Sequence, residues 1–213
     1  VVQRSHLGKN TTATRITSNG FEPSADVYAF FLRSLHAKIN PVSVWKYTIP
    51  QGYESVLIPT HDCDSRTAYD EMYWVSEYEK SLGMSAHYFL TVHYFRDAGY
   101  LSDFYSAETK PKAQRLLVDG HTVGSHSICH FPDFSKTELF PATVVTKDAY
   151  AVSAHHDKTT GVTQGGSTWA ELGLSKLIIE EDLGNHVRSF RSGHLCMNKN
   201  VPLVQQAVGY AFS

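Results

Sequence analysis

Apolar, β-rich runs alternate with capped amphipathic ones through the middle of this chain, and that alternation limits its architecture more than any single residue does. "ESVLIP" leads straight into "THDCDS". Next comes "RTAYDEMYWVSEYEKSLG", which places Val75, Tyr78 and Leu82 on one helical face, with a Thr67-x-x-Asp70 start and Gly83 as the stop. "SAHYFLTV" then reads as a strand. "TKPKAQRLLVDG" follows as a helix, with Thr109 as cap, Pro111 in the first turn and Gly120 at the end. "HTVGSH" is a third, short strand. Strands separated by helices predict an α/β chain with a mostly parallel sheet, open or closed into a barrel, whose working loops lie at the strands' C-terminal ends.

The flanks are less regular. Residues 1–23 are polar and aperiodic and read as an N-terminal arm, leaving 24–213 as the main domain. From Ser24, "SADVYAFFLRSLHAKINP" spaces Val27, Phe31, Leu35 and Ile39 as a packing helix stopped by Pro41, and "PVSVWKYTIP" is strand-like. Residues 131–166 are a long polar, β-branched stretch that suits a loop with a hairpin. Thr168-x-x-Glu171 opens a helix closed by Gly184, and "HVRSFRSG" supplies one more strand.

Composition removes several classes of function. A formal net charge of −2 and a pI near 6.7 give no footprint for nucleic acid or an anionic membrane. No apolar run approaches the roughly 18 residues of a membrane span. Cys63, Cys129 and Cys196 are too few for a disulfide framework. The twelve histidines cluster around polar turns, and that pattern asks for a site.

Three polar clusters fall at strand ends: "THDCDS", "GSHSICH" and "FRSGH". In a strand, Asp62 and Asp64 point the same way while His61 and Cys63 point the other. Two carboxylates sharing one small volume repel each other, and a cation neutralises them; Asp64 alone could equally cap the following helix. His126 and His130 share a face if the turn carrying them is helical. Two neutral imidazoles plus a carboxylate form a zinc ligand set with an open position for water.

"LIPTHDCDS", "DGHTVGSHSICHFPDF" and "SFRSGHL" resemble, in order and rough spacing, the first three motifs of the NodB-like polysaccharide deacetylases, carbohydrate esterase family four. The family's Gly-His-x-x-Gly-x-His-Ser/Thr-x-x-His pattern stands here as Gly120, His121, Gly124, His126, Ser127 and His130. Where the family has two adjacent aspartates, Cys63 separates Asp62 from Asp64. The resemblance implies a distorted (β/α) barrel. It makes Asp62 the catalytic base that activates a metal-held water, Asp64, His126 and His130 the metal ligands, and Arg191 the residue that holds the base. Ser127 would fix the loop by hydrogen bonding. Zinc suits these ligands best, with cobalt, nickel or iron also admitted.

The implied reaction is removal of N-acetyl groups from N-acetylglucosamine residues of a polysaccharide of the peptidoglycan or chitin type. The implied setting is extracellular, periplasmic or wall-associated. The family's later motifs, which supply a groove wall and the catalytic acid, have no match after Arg191, so the barrel is expected to be incomplete at its C-terminus. His155, His156 and His194 are the remaining candidates for the acid, and none is assigned. Trp169 could stack on a sugar or belong to the core. Two other functions fit the same residues: an amidase of this fold acting on a small non-sugar amide, and a carbohydrate-binding relative without catalysis.

Overall fold

"SAHYFLTV" becomes the middle strand of a parallel sheet. In the computed structural model, residues 2–6, 9–13, 24–40, 42, 49–50, 52–92, 105–140, 154–157 and 159–211 are described. The chain divides into two compact units, Val1–Leu57 and Ile58–Ser213.

In the first unit the expected arm contains an antiparallel hairpin. β1 (Val2–His6) pairs with β2 (Lys9–Ala13), in a register running from Val2↔Ala13 to His6↔Lys9. α1 (Ser24–Ile39) forms as its spacing predicts. Its apolar positions do not pack as expected, since Val27, Phe31, Leu35 and Ile39 are all exposed. The run "PVSVWKYTIP" lies for the most part outside the described residues.

The second unit is built on β3 (Thr60–Cys63), β4 (His87–Leu90) and β5 (Thr122–Ser125), all parallel, in the order β3-β4-β5. The strand expected over "ESVLIP" is displaced, and pairing begins at Thr60 opposite His87. The last expected strand is reduced to one parallel bridge, Ser125↔Phe190. Among the described residues the sheet is therefore open, and a closed barrel is not seen.

α2 (Arg66–Ser81) and α3 (Lys110–Val118) alternate with these strands, and α4 (Ser175–Leu183) and α5 (Val201–Val208) follow later in the chain. α2 starts two residues earlier than its Thr67 signal, because Ser65 in extended conformation accepts from Ala68 N at 3.1 Å. Its buried face is Tyr69, Met72, Ser76 and Glu79, while Tyr78 and Leu82 stay exposed. Two polar side chains hold buried positions because each finds partners. Glu79 takes His61 Nε2 at 2.6 Å and the Tyr88 hydroxyl at 2.7 Å. Ser76 Oγ donates to Tyr73 O at 2.7 Å, and its own carbonyl accepts from His121 Nε2 at 3.1 Å. Removing Glu79 leaves the buried Tyr88 hydroxyl without this partner, at a cost of about 1–3 kcal/mol.

The sheet's two faces differ in chemistry. His61, Cys63, Tyr88 and Leu90 face the helices, where Cys63, Tyr88 and Leu90 join Tyr69, Tyr105 and Leu116 in the core. Thr60, Asp62, His87, Phe89, Thr122 and Gly124 take the opposite face by strand alternation. A Cβ at Gly124 would collide with Ser189 Oγ, His87 Nε2 and Phe89 Cδ1, so only glycine permits that packing. The long stretch from 131 contains the expected hairpin, β6 (His155–Asp157) against β7 (Val162–Gln164). Residues 141–153 within it lie outside the described ones.

Candidate metal centre

β3 and β5 both end at one place, and the residues just beyond them meet there. Asp64, His126 and His130 each bring a ligand atom within 4.8 Å of the others. His130 Nε2 is 3.1 Å from His126 Nε2 and 3.6 Å from Asp64 Oδ2. Asp62 Oδ2 stands at the edge of this group, 3.8 Å from His126 Nε2.

The loop carrying the histidines is among the most buried parts of the chain. Ile128, Cys129 and Phe131 are fully enclosed, and His126 and His130 nearly so. Its shape is not helical. Ser127 and His130 have φ of +76° and +53°, and His194, whose ring neighbours that of His130, and Leu195 after it have +53° and +55°. These are all the non-glycine residues with positive φ among the described ones, and each such conformation costs roughly 1–3 kcal/mol. Local bonds hold the turn: Ser127 Oγ accepts from His130 N at 3.1 Å, and Ser125 Oγ accepts from Ser127 N at 3.2 Å. Glu171 adds a clasp from 43 residues away, its Oε2 accepting from Ile128 N at 2.9 Å and Cys129 N at 3.1 Å.

Arg191 touches both halves of the group. Its backbone joins the sheet through Arg191 N to Ser125 O at 2.9 Å. Its carbonyl accepts from His126 Nδ1 at 2.8 Å, which leaves the His126 Nε2 lone pair directed into the cluster. Its guanidinium donates to Asp62 Oδ1 at 2.6 Å and Thr60 Oγ1 at 3.2 Å while stacking over Phe89 at 4.1 Å. One residue thus orients an imidazole and a carboxylate together. Below it lies a cavity of about 610 Å³ lined by Thr60, His87, Phe89, Thr122, Ser189 and Arg191 among others. His87 spans that cavity between Ser189 Oγ at 2.5 Å and Thr122 Oγ1 at 2.6 Å, and burial with the nearby Arg191 charge lowers its pKa.

The donor set fits a divalent cation. Burial, reinforced by the His126 and His194 charges, pushes His130 down to about 3, so its imidazole is neutral near neutral pH, the form that coordinates a metal. Two Nε2 atoms at 3.1 Å set lone pair against lone pair unless a proton or cation stands between them. Tetrahedral zinc, with bonds of about 2.0–2.1 Å, separates its nitrogen ligands by about 3.3 Å, close to that spacing. Cys63 takes no part: it is buried on the helix side, and its thiol is pushed up by desolvation and by Asp62 and Asp64.

The other sequence candidates are also placed. His121 is a core residue, accepting from Ala86 N at 3.1 Å and donating to Ser76 O at 3.1 Å. His194 is exposed, and its ring lies 4.5 Å from that of His130. Gly193 makes that approach possible, since a Cβ there would come within 3.0 Å of the His130 ring. His156 Nδ1 meets Thr163 Oγ1 at 2.9 Å, and Thr163 in turn bonds Asp133. The side chain of His155 lies outside the described residues. Trp169 is 38% exposed and packs on exposed Phe140 at 5.8 Å, so it is not a core residue.

No protein-family model matches the sequence, and no curated protein matches it. The chain is similar to solved structures at low identity. A deacetylase from Streptococcus pyogenes, PplD, in complex with acetate, aligns at 13% identity and a TM-score of 0.48, over 84% of this chain and 60% of that one. A CE4 family pseudoenzyme from Bacillus anthracis aligns at 13% and 0.46, over 73% of this chain and 42% of that one. The chitin deacetylase from Colletotrichum lindemuthianum aligns at 15% and 0.45, over 73% of this chain and 53% of that one. The chain thus spans 60% or less of the length of each.

Proposed function

We propose that this chain is a metal-dependent hydrolase that removes N-acetyl groups from N-acetylglucosamine residues of a polysaccharide. The observation that carries the reading is the convergence of Asp64, His126 and His130 on one point, with Asp62 at its edge in the grip of Arg191. Those three residues would hold the ion, zinc by preference, with cobalt, nickel or iron also suited to the ligands. When bound, a divalent cation there supplies Lewis acidity for a carbonyl oxygen and acidifies water.

The chain's own groups supply the rest of the chemistry. Asp62 Oδ2, on the solvent side of His126, takes the proton of the attacking water as general base. Arg191 fixes the other oxygen of that carboxylate, so the free one has a defined direction. The same residue's carbonyl fixes His126, which ties the position of the base to that of a ligand. Left-handed Ser127 and His130 keep the two imidazoles aimed at one point without rearrangement during reaction. A wall or extracellular polymer as substrate goes with an extracellular, periplasmic or wall-associated setting, which forms part of the proposal. No helix among the described residues is long and apolar enough to cross a membrane.

The test is acetate release from N-acetylglucosamine oligomers by zinc-loaded protein. Asp62→Asn should lose about 10²–10⁴-fold in rate, the usual worth of a general base, while zinc stays near one per chain. Undiminished turnover in that variant overturns the role of Asp62. Zinc uptake without any acetate release from the wild type favours the carbohydrate-binding alternative instead.

A further inference from the structure

Glu171 is a fully buried carboxylate that the proposed reaction does not use. It stands in a π-helical segment, Ala170–Leu174, immediately before α4. Such wide turns cluster at functional sites, because they re-aim a side chain that a regular helix would send elsewhere. The helix start does not need Glu171 as a cap, since Ser167 Oγ already accepts from Ala170 N at 3.1 Å. The carboxylate is turned instead toward the histidine loop, where one oxygen receives two consecutive amides, Ile128 N and Cys129 N. Successive N–H groups converging on one oxygen form an anion-binding nest, the natural complement of a buried negative charge. Ile128 and Cys129 lie between His126 and His130. The residues on either side of them, Ser127 and His130, are the two that adopt left-handed backbone in this loop.

We infer that Glu171 is the positioning residue of this centre: by holding the Ile128 and Cys129 amides it imposes the turn that lets His126 and His130 share one ion. The inference rests on the metal reading of the same site. An H-x3-H pair on a regular helix is also presented on one face, but here the backbone is strained and buried, and an ordinary loop would relax away from it. The clasp is what opposes that relaxation. It acts through the loop's main chain, so it touches neither the ion nor a substrate.

The test uses the full chain and two substitutions, Glu171→Gln and Glu171→Ala. Zinc affinity is measured by competition titration, the amide shifts of Ile128 and Cys129 are read by NMR without metal, and the thermal midpoint is recorded separately. Glu171→Ala should bind zinc about 10–100-fold more weakly, as loss of an outer partner usually does. Glu171→Gln keeps an oxygen that can accept but loses the charge, and should fall between Ala and wild type. Its visible spectrum with cobalt should lie closer to wild type than that of the Ala variant. A role confined to stability would lower the thermal midpoint without this graded affinity. If Glu171→Ala does not fold, Glu171→Gln decides alone, by a several-fold loss of affinity at a near-native midpoint. Affinity equal to wild type in every variant that folds overturns the inference. A wild-type chain that takes up no zinc overturns the metal reading itself. The metal-free amide shifts separate that failure from failure of the clasp.

Discussion

His126 and His130 are 2% and 5% exposed, whereas the side chains of Asp62 and Asp64 stand 33% and 39% open, although all four lie at one site. The histidine side is built into the core: Ile128, Cys129 and Phe131 interleave with it, and bonds from Ser125, Ser127, Arg191 and Glu171 fix its backbone and one ring. The acidic side rests on the end of a short edge strand and on the guanidinium of Arg191. Geometry is therefore set where the chain is buried, and under the proposed function proton transfer would fall to the residues that water can reach. Substitutions should divide along the same line.

The largest effect is expected from the ligands. His126→Ala and His130→Ala should each weaken zinc by more than about 100-fold, beyond the 10–100-fold typical of an outer partner, with Asp64→Ala losing less. Competition titration checks this, and equal losses on both sides would break the contrast. Next comes packing. Gly193→Ala places a Cβ 3.0 Å from His130 Cδ2 and 3.2 Å from its Cα, so urea denaturation should show a loss of about 1–3 kcal/mol.

A smaller effect comes from pH. The unfolded chain protonates His130 near 6.5, while the folded chain resists until about 3. As pH falls through that window the unfolded state gains a proton that the native state refuses, so metal-free protein loses stability on acidification and regains it above 6.5. Between pH 7 and pH 6 the loss from this one group is under about 1 kcal/mol. A His130→Gln variant with the same acid sensitivity would remove His130 as its source. The smallest effect is on the open side: Asp64→Asn should shift metal-free stability by no more than about 0.5 kcal/mol, as exposed positions usually do.

The local rules read most of the α/β order correctly, and they failed where tertiary partners outweighed them. β4, α3 and β5 were legible because their signals, alternation in one case and Thr109, Pro111 and Gly120 in another, are contained within a dozen residues. Asp64 and His126 each lie just past a strand end, so their proximity was legible, but His130 joins them through a non-helical turn instead of the helical one that its spacing suggests. The face of α2 was not, because Ser76 and Glu79 are buried in place of Tyr78 and Leu82. What makes Glu79 acceptable inside is a histidine and a tyrosine on two different strands. Two helix starts slipped by a residue or two for a common reason: Ser65 and Ser167 supply the caps, upstream of the Thr67 and Thr168 pattern matches. Glu171 shows the limit most clearly. Three residues after a threonine it reads as half of a capping box, yet its partners are main-chain amides of a loop that sequence spacing gives no reason to connect to it.

Unequal exposure at the centre also bears on how an ion would come and go. With both imidazoles walled in and the carboxylate of Asp64 facing water, exchange would begin with that oxygen letting go and a solvent molecule or small chelator taking its place. The two nitrogens would then release last. Residence time would thus follow the rigidity of the histidine loop, and the identity of the competing anion would govern only how often release is attempted.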